Sequence, residues 1–262
     1  MVLSKLFQRT GQKASKSPAQ TRAAKAPPGM RIYAIGDIHG RDDLLRVLHE
    51  RILDDIADGN PLQTTIVYLG DYVDRGLGSA RVIDMLLDEP LPGTRSIHLK
   101  GNHEEAVLDF LDDASFGMVW RNFGGLETLY SYGVPDAMSI SSVPEFVAAQ
   151  EAFADHLPAR HLNWLKGLRP SVTLGDYFFT HAGVRPGVPL EKQSEEDLMW
   201  IRDLFLDSDA SFGKIVVHGH TPEPEPVLRH NRIGVDTGAY MTDVLTCVVL
   251  EGEAQRFLDT SR

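Results

Sequence analysis

Five short apolar runs in this chain, rich in β-branched and aromatic residues, stop abruptly at a polar string. Ile32–Ile35 runs into Gly36-Asp37-Ile38-His39-Gly40, and Ile66–Leu69 into Gly70-Asp71-Tyr72-Val73-Asp74-Arg75-Gly76. Ile97–Leu99 leads to Gly101-Asn102-His103-Glu104, Tyr177–Phe179 to His181-Ala182-Gly183, and Ile215–Val217 to His218-Gly219-His220-Thr221. Short apolar runs bounded by turn formers read as buried strands. In open α/β sheets, ligand chemistry collects in the crevice beyond the carboxyl ends of the strands. One Asp or Asn beside a glycine is an ordinary turn. Five such strings, each carrying an oxygen or imidazole donor, specify one shared site.

The donor types narrow the chemistry. Asp37, His39, Asp71, Asn102, His181 and His220 offer carboxylate, amide oxygen and imidazole, and no thiolate. That set suits two divalent ions of the manganese, iron or zinc kind better than a soft copper site. Asp71 is the natural bridging carboxylate, because its string is the longest and most polar. In two-metal sites the ions lie roughly 3.5–4 Å apart and bring the pKa of bound water down toward about 7. The residues therefore read as a metal-dependent hydrolase.

In order and spacing, from Arg31 to Gly252, the strings resemble those of the metallophosphoesterase superfamily. Within it the chain looks like the phosphoprotein phosphatase family, in a compact bacterial form. Val73-Asp74-Arg75-Gly76 and Gly101-Asn102-His103-Glu104 match the protein-phosphatase versions of their motifs. Diadenosine tetraphosphate hydrolases, which are close relatives, usually lack the aspartate before that arginine and carry Asp where Glu104 stands. Pro222 stands where many broader members have a second ligand histidine.

The resemblance implies a first metal on Asp37, His39 and the bridging Asp71, and a second on Asp71, Asn102, His181 and His220. It implies that His103 protonates the leaving oxygen, with Asp74 orienting its ring, and that Arg75 holds phosphoryl oxygens. Arg202 is the first candidate for a second phosphate arginine and Arg185 the next. His218 reads as a supporting residue outside the ligand set. The implied activity is phosphomonoester hydrolysis on phosphoproteins, at serine or threonine, with tyrosine open, and with manganese as the leading metal. A dinucleoside polyphosphate hydrolase on the same metal core is the alternative. A catalytically silent binding protein of the same fold is a third reading, disfavoured by the intact ligand set.

Charge is unevenly spread. Residues 1–30 carry six basic residues and no acid, while the remainder carries 20 basic against 37 acidic residues. So acidic a body argues against nucleic acid as the main partner. Residues 1–29, ending in Pro27-Pro28-Gly29, read as a disordered basic tail, and residues 30–262 as one domain. No apolar run approaches the roughly 20 residues of a membrane helix. Cys247 is the only cysteine, so no intrachain disulfide forms, which fits a reducing cytoplasm.

Between the strands, Asp42–Ala57 places Leu44, Leu48, Ile52 and Ile56 on one helical stripe, and Ser79–Leu87 and Glu104–Leu111 follow the next two strings. Strand, string and helix in alternation specify right-handed βαβ units. Lys214–Val217, Arg232–Val235 and Val244–Leu250 read as strands of a second mixed sheet. The expected fold is a four-layer α/β/β/α sandwich of two mixed sheets, as the resemblance also implies. Residues 112–170 form a helical insertion, with a stretch over Val143–Leu168 presenting Phe153, Leu157, His161 and Trp164–Leu165 on one face. This insertion is either a substrate-recognition element or an extra helical layer.

Overall fold

The structure is a computed structural model that describes residues 23–59 and 62–261. Two five-stranded mixed sheets face each other. The first has the order β10 (Ala254–Asp259), β9 (Thr246–Glu251), β1 (Met30–Ile35), β2 (Gln63–Tyr68) and β3 (Thr94–His98). The second runs β4 (Ser171–Leu174), β5 (Tyr177–Thr180), β6 (Ile215–His218), β8 (Arg232–Gly234) and β7 (Val227–Leu228). In each sheet the three strands that feed the site lie parallel: β1, β2 and β3 in the first, β5, β6 and β8 in the second. The expected sandwich of two mixed sheets is therefore the fold.

Side-chain alternation builds the layers. On β1, Ile32 and Ala34 face the second sheet and pack with Val67, Leu69, Phe179, Val217 and Ile233. Tyr33 and Ile35 face the other way, toward helices α1 (Asp42–Ala57), α2 (Ser79–Asp88) and α3 (Asn102–Asp112). On the far side of the second sheet, Phe178 and Val216 meet Leu198, Ile201 and Phe205. Strands buried on both faces read as continuous apolar runs, which makes β1, β2, β5 and β6 legible in the sequence.

One strand lies elsewhere than expected. The run Val244–Leu250 does not join the second sheet. Its strand, β9, pairs antiparallel with β1, Ile32 opposite Leu250, and turns back into β10. Val248 and Leu250 fill the inter-sheet layer, while Cys247 and Val249 face the helices. Either sheet would bury such a run equally well; the choice is made by the open edge of β1. Burial pushes the Cys247 thiol up to about 12.

The packed chain also begins before the expected boundary at Gly29. Ala26 is buried and its N–H donates to the Gly252 carbonyl at 2.8 Å, and the Lys25 N–H donates to the Asp176 carboxylate at 3.0 Å. Of the tail expected over residues 1–29, residues 1–22 lie outside the described residues. The helical stretch expected over 143–168 consists of two helices, Val143–His156 and Ala159–Lys166, divided at Pro158. Phe153, Leu157, His161 and Leu165 are nonetheless all buried. No helix among the described residues is long and apolar enough to cross a membrane.

Candidate metal centre and catalytic dyad

The strand ends converge. Asp37 and His39 follow β1, Asp71 follows β2, Asn102 and His103 open α3 after β3, His181 follows β5 and His220 follows β6. All seven are buried. Getting them there requires unusual backbone. Of the seven non-glycine residues with positive φ among those described, five are His39, Asp71, Asp74, Arg75 and His220. Left-handed conformations in non-glycine residues cost energy and concentrate where function holds them. Gly70, at φ +109°, lets two strands' loops touch: a Cβ there would lie 2.7 Å from Gly101 N and 2.9 Å from His181 Nδ1.

Glu104 ties the loops together. Its carboxylate accepts the N–H groups of Asp71 at 2.9 Å, Tyr72 at 2.7 Å and Gly101 at 2.9 Å. It thereby caps α3 while fixing the loop that carries Asp71. Burial and the adjacent Asp71 carboxylate push Glu104 up to about 7.

Asp71 lies at the centre of two donor groups that could each hold a metal ion. One is His39, Asp71 and His103; the other is Asp71, His181 and His220. Asp71 Oδ2 is 3.6 Å from His39 Nε2 and 3.3 Å from His181 Nε2. The imidazoles are set by their far nitrogens. His39 Nδ1 donates to the Val73 carbonyl at 2.9 Å and His181 Nδ1 to the Leu69 carbonyl at 3.0 Å. In the neutral rings the Nε2 lone pairs then face the centre. Burial and His103 lower His39 to about 3, and burial and His181 lower His220 to about 2, so both rings are neutral.

A cation fits what remains. With its Nδ1 bonded to the Leu69 carbonyl, His181 turns the Nε2 lone pair to Asn102 Oδ1 at 2.9 Å and Asp71 Oδ2 at 3.3 Å, and all three residues are buried. Lone pairs crowded together in a buried place ask for a positive ion between them. These His and Asp residues are arranged to bind a metal centre.

Asp37 belongs to neither group. Its carboxylate turns to the His220 N–H, at 3.2 and 3.0 Å, and lies against Asp236. Burial, then Asp236 and Asp71, raise the Asp37 pKa well above the usual carboxylate range. Asp236 was missed in the sequence, although the signal was there: the run Arg232–Val235 stops at Asp236-Thr237-Gly238 just as the other five runs stop. Its backbone packs on Gly36, where a Cβ would meet Asp236 Cα at 3.4 Å.

Beside the centre, His103 and Asp74 form a dyad. His103 Nδ1 is 2.6 Å from Asp74 Oδ2, leaving Nε2 toward Asp71, 3.8 Å from its Oδ2. Asp74 is fully buried and saturated: Oδ2 also accepts from Trp120 Nε1 at 2.8 Å, and Oδ1 from the Thr128 hydroxyl at 2.6 Å. Trp120 and Thr128 belong to the insertion over 112–170, so that segment builds the dyad's floor, a role the sequence did not reveal. Burial disfavours the His103 cation, but the Asp71 and Asp74 carboxylates outweigh it and push the pKa up to about 9.

The arginines separate clearly. Arg185 is engaged by Asp197, Nε to Oδ2 at 2.8 Å and Nη2 to Oδ1 at 2.5 Å. Arg202 makes no such pair among the described residues; its Nη1 donates to the Thr221 hydroxyl at 3.2 Å, one residue from His220. Arg75 Nη1 donates to the Tyr240 hydroxyl at 3.0 Å. His218 is outside both metal groups: Nδ1 donates to the Gly219 carbonyl at 3.0 Å and its ring packs edge-on against Phe205.

Two facing mixed sheets whose strand ends gather carboxylates and imidazoles around one aspartate define a metal-dependent phosphoesterase. The chain belongs to the calcineurin-like phosphoesterase family, whose model matches residues 30–243. It is 39% identical over 79 residues to the serine/threonine-protein phosphatase PP2A-like PPG1 of Candida albicans, covering 29% of this chain and 17% of that one. It is 36% identical over 95 residues to the serine/threonine-protein phosphatase rdgC of Drosophila melanogaster, covering 36% and 13%. The chain thus spans less than a fifth of the length of either relative. Among solved structures, a candidate diadenosine tetraphosphatase matches with TM-score 0.59 at 19% identity, over 91% of this chain and 98% of that one. A cold-active protein tyrosine phosphatase matches with TM-score 0.54 at 16% identity, over 89% and 81%. These two structures share the fold.

Proposed function

We propose that this chain is a phosphomonoester hydrolase that removes phosphate from phosphorylated protein side chains, serine and threonine first and tyrosine also. The observation that carries the reading is the His103–Asp74 dyad, buried and fully hydrogen-bonded, set directly against a metal centre built on Asp71. The serine/threonine phosphatase relatives, matched through stretches of this chain, support phosphoprotein substrates over other phosphate esters.

Asp37, His39 and Asp71 would hold one divalent ion, and Asp71, Asn102, His181 and His220 a second, with manganese the ion of choice. Such ions supply Lewis-acid stabilisation of phosphoryl charge and an activated water. The chain's own groups do the rest. Arg75 and Arg202, neither taken by a carboxylate among the described residues, are free to meet phosphoryl oxygens. Guanidinium groups suit that task because their planar fork matches two oxygens at once. Asp74 holds the His103 ring by Nδ1, so the proton at Nε2 points into the crevice, where the leaving oxygen departs. A positioned imidazole acid of this kind contributes about 10²–10⁴-fold in rate.

Turnover of a phosphoserine peptide, a phosphotyrosine peptide, diadenosine tetraphosphate and p-nitrophenyl phosphate, measured side by side, tests the substrate class. The phosphopeptides are expected to give the higher kcat/KM. A clear preference for diadenosine tetraphosphate would replace this reading with a dinucleoside polyphosphate hydrolase.

A further inference from the structure

Arg75 reaches the site from a strained position. It has φ +68°, its N–H donates to the Gly124 carbonyl at 3.2 Å, and its stem lies on Gly124, where a Cβ would come within 2.9 Å of Arg75 Cγ. The backbone and stem are therefore fixed from one side by the insertion. The guanidinium is fixed from the other side by Tyr240, on the short helix Ala239–Thr242, 165 residues further along. Arg75 Nη1 donates to the Tyr240 hydroxyl at 3.0 Å, and Arg75 Cζ lies 4.5 Å from the ring centroid. The same ring stands edge-on to the His39 imidazole, 5.4 Å between centroids. Arg41, Arg160 and Arg185 are all engaged by carboxylates. Arg75 is held by a neutral ring instead, which restrains the guanidinium without neutralising it.

We infer that Tyr240 is a positioning residue for Arg75: it pre-sets the guanidinium so that a phosphoryl group meets a cation already in place. The inference rests on the reading of Arg75 as a phosphate-binding residue. A long side chain that must be ordered on binding weakens the complex, and one ordered beforehand does not. A hydroxyl that accepts from Nη1, together with an aromatic face beside Cζ, orders this one through a hydrogen bond and a cation–π contact. Nothing in the local sequence Gly238-Ala239-Tyr240-Met241 marks the residue; only the fold brings it to Arg75.

The test uses the full chain loaded with manganese, inorganic phosphate as the probe, and four variants: Tyr240→Phe, Tyr240→Leu, Arg75→Ala, and Arg75→Ala with Tyr240→Leu. Phosphate inhibition constants against p-nitrophenyl phosphate and calorimetric phosphate binding are read together, with bound manganese measured in each variant. Tyr240→Phe, which keeps the ring and loses the acceptor, is expected to weaken phosphate roughly 3- to 10-fold. Tyr240→Leu loses the ring as well and is expected to weaken it further, with manganese content unchanged. In the Arg75→Ala background, Tyr240→Leu is expected to add nothing, because the two side chains act as one unit. The inference is overturned if the Tyr240 variants leave phosphate binding unchanged while Arg75→Ala weakens it. An equal effect with and without Arg75, or loss of manganese through His39, overturns it too. If Arg75→Ala itself leaves phosphate binding unchanged, the reading of Arg75 falls first and the inference with it.

Discussion

Asp71→Asn is expected to empty the metal centre and abolish turnover. Asp71 is the only residue common to both donor groups, with Oδ2 3.6 Å from His39 Nε2 and 3.3 Å from His181 Nε2. Its carboxylate is held well below the usual range: burial opposes ionisation, but His181 and His103 outweigh it. An amide removes that negative charge and turns N–H donors toward lone pairs. Changing a group that only supports a ligand typically costs 10–100-fold in metal affinity, so loss of a shared ligand is expected to cost more than about 100-fold. Asn102→Ala, which touches only the His181 side, is expected to lower the stoichiometry by about one ion. Metal analysis of both variants against the parent decides this. Retention of both ions at parental affinity in Asp71→Asn would refute the bridge.

His103→Asn is expected to lower kcat by about 10²–10⁴-fold while leaving bound metal largely intact. The loss should depend on the leaving group. A nitrophenolate departs with little need for a proton, whereas a serine alkoxide must be protonated as it leaves. The deficit is therefore expected to be small on p-nitrophenyl phosphate and large on a phosphoserine peptide. Because Asp74 also accepts from Trp120 and Thr128, the aspartate should stay in place when the histidine is lost. An equal deficit on the two substrates would assign His103 to phosphate binding or to structure.

The parts of this molecule legible in its sequence are those written locally. A strand buried on both faces is a run of apolar residues, and the residue that ends it at the crevice interrupts that run. Asp37, Asp71, Asn102, His181 and His220 announce themselves in this way, and the stripe of α1 does the same through its period. What was not legible depends on contacts between distant segments. The apolar run Val244–Leu250 shows that a strand lies there, but not that β1 rather than β8 takes it as a neighbour. Trp120, Thr128 and Tyr240 reach Asp74 and Arg75 from 46, 54 and 165 residues away. In sequence they look like ordinary core or turn residues. Asp236 differs from these: it ends a strand run as the others do, but Arg232 and Gly234 break the apolar pattern of that run.

The account turns on metal-dependent phosphate ester hydrolysis at the Asp71 centre. Its most direct test is to strip the purified chain with a chelator, confirm by elemental analysis that it is metal-free, and then titrate manganese back while following phosphopeptide hydrolysis. Activity is expected to vanish on stripping and to return as two ions bind per chain. Undiminished hydrolysis by the metal-free protein would contradict it.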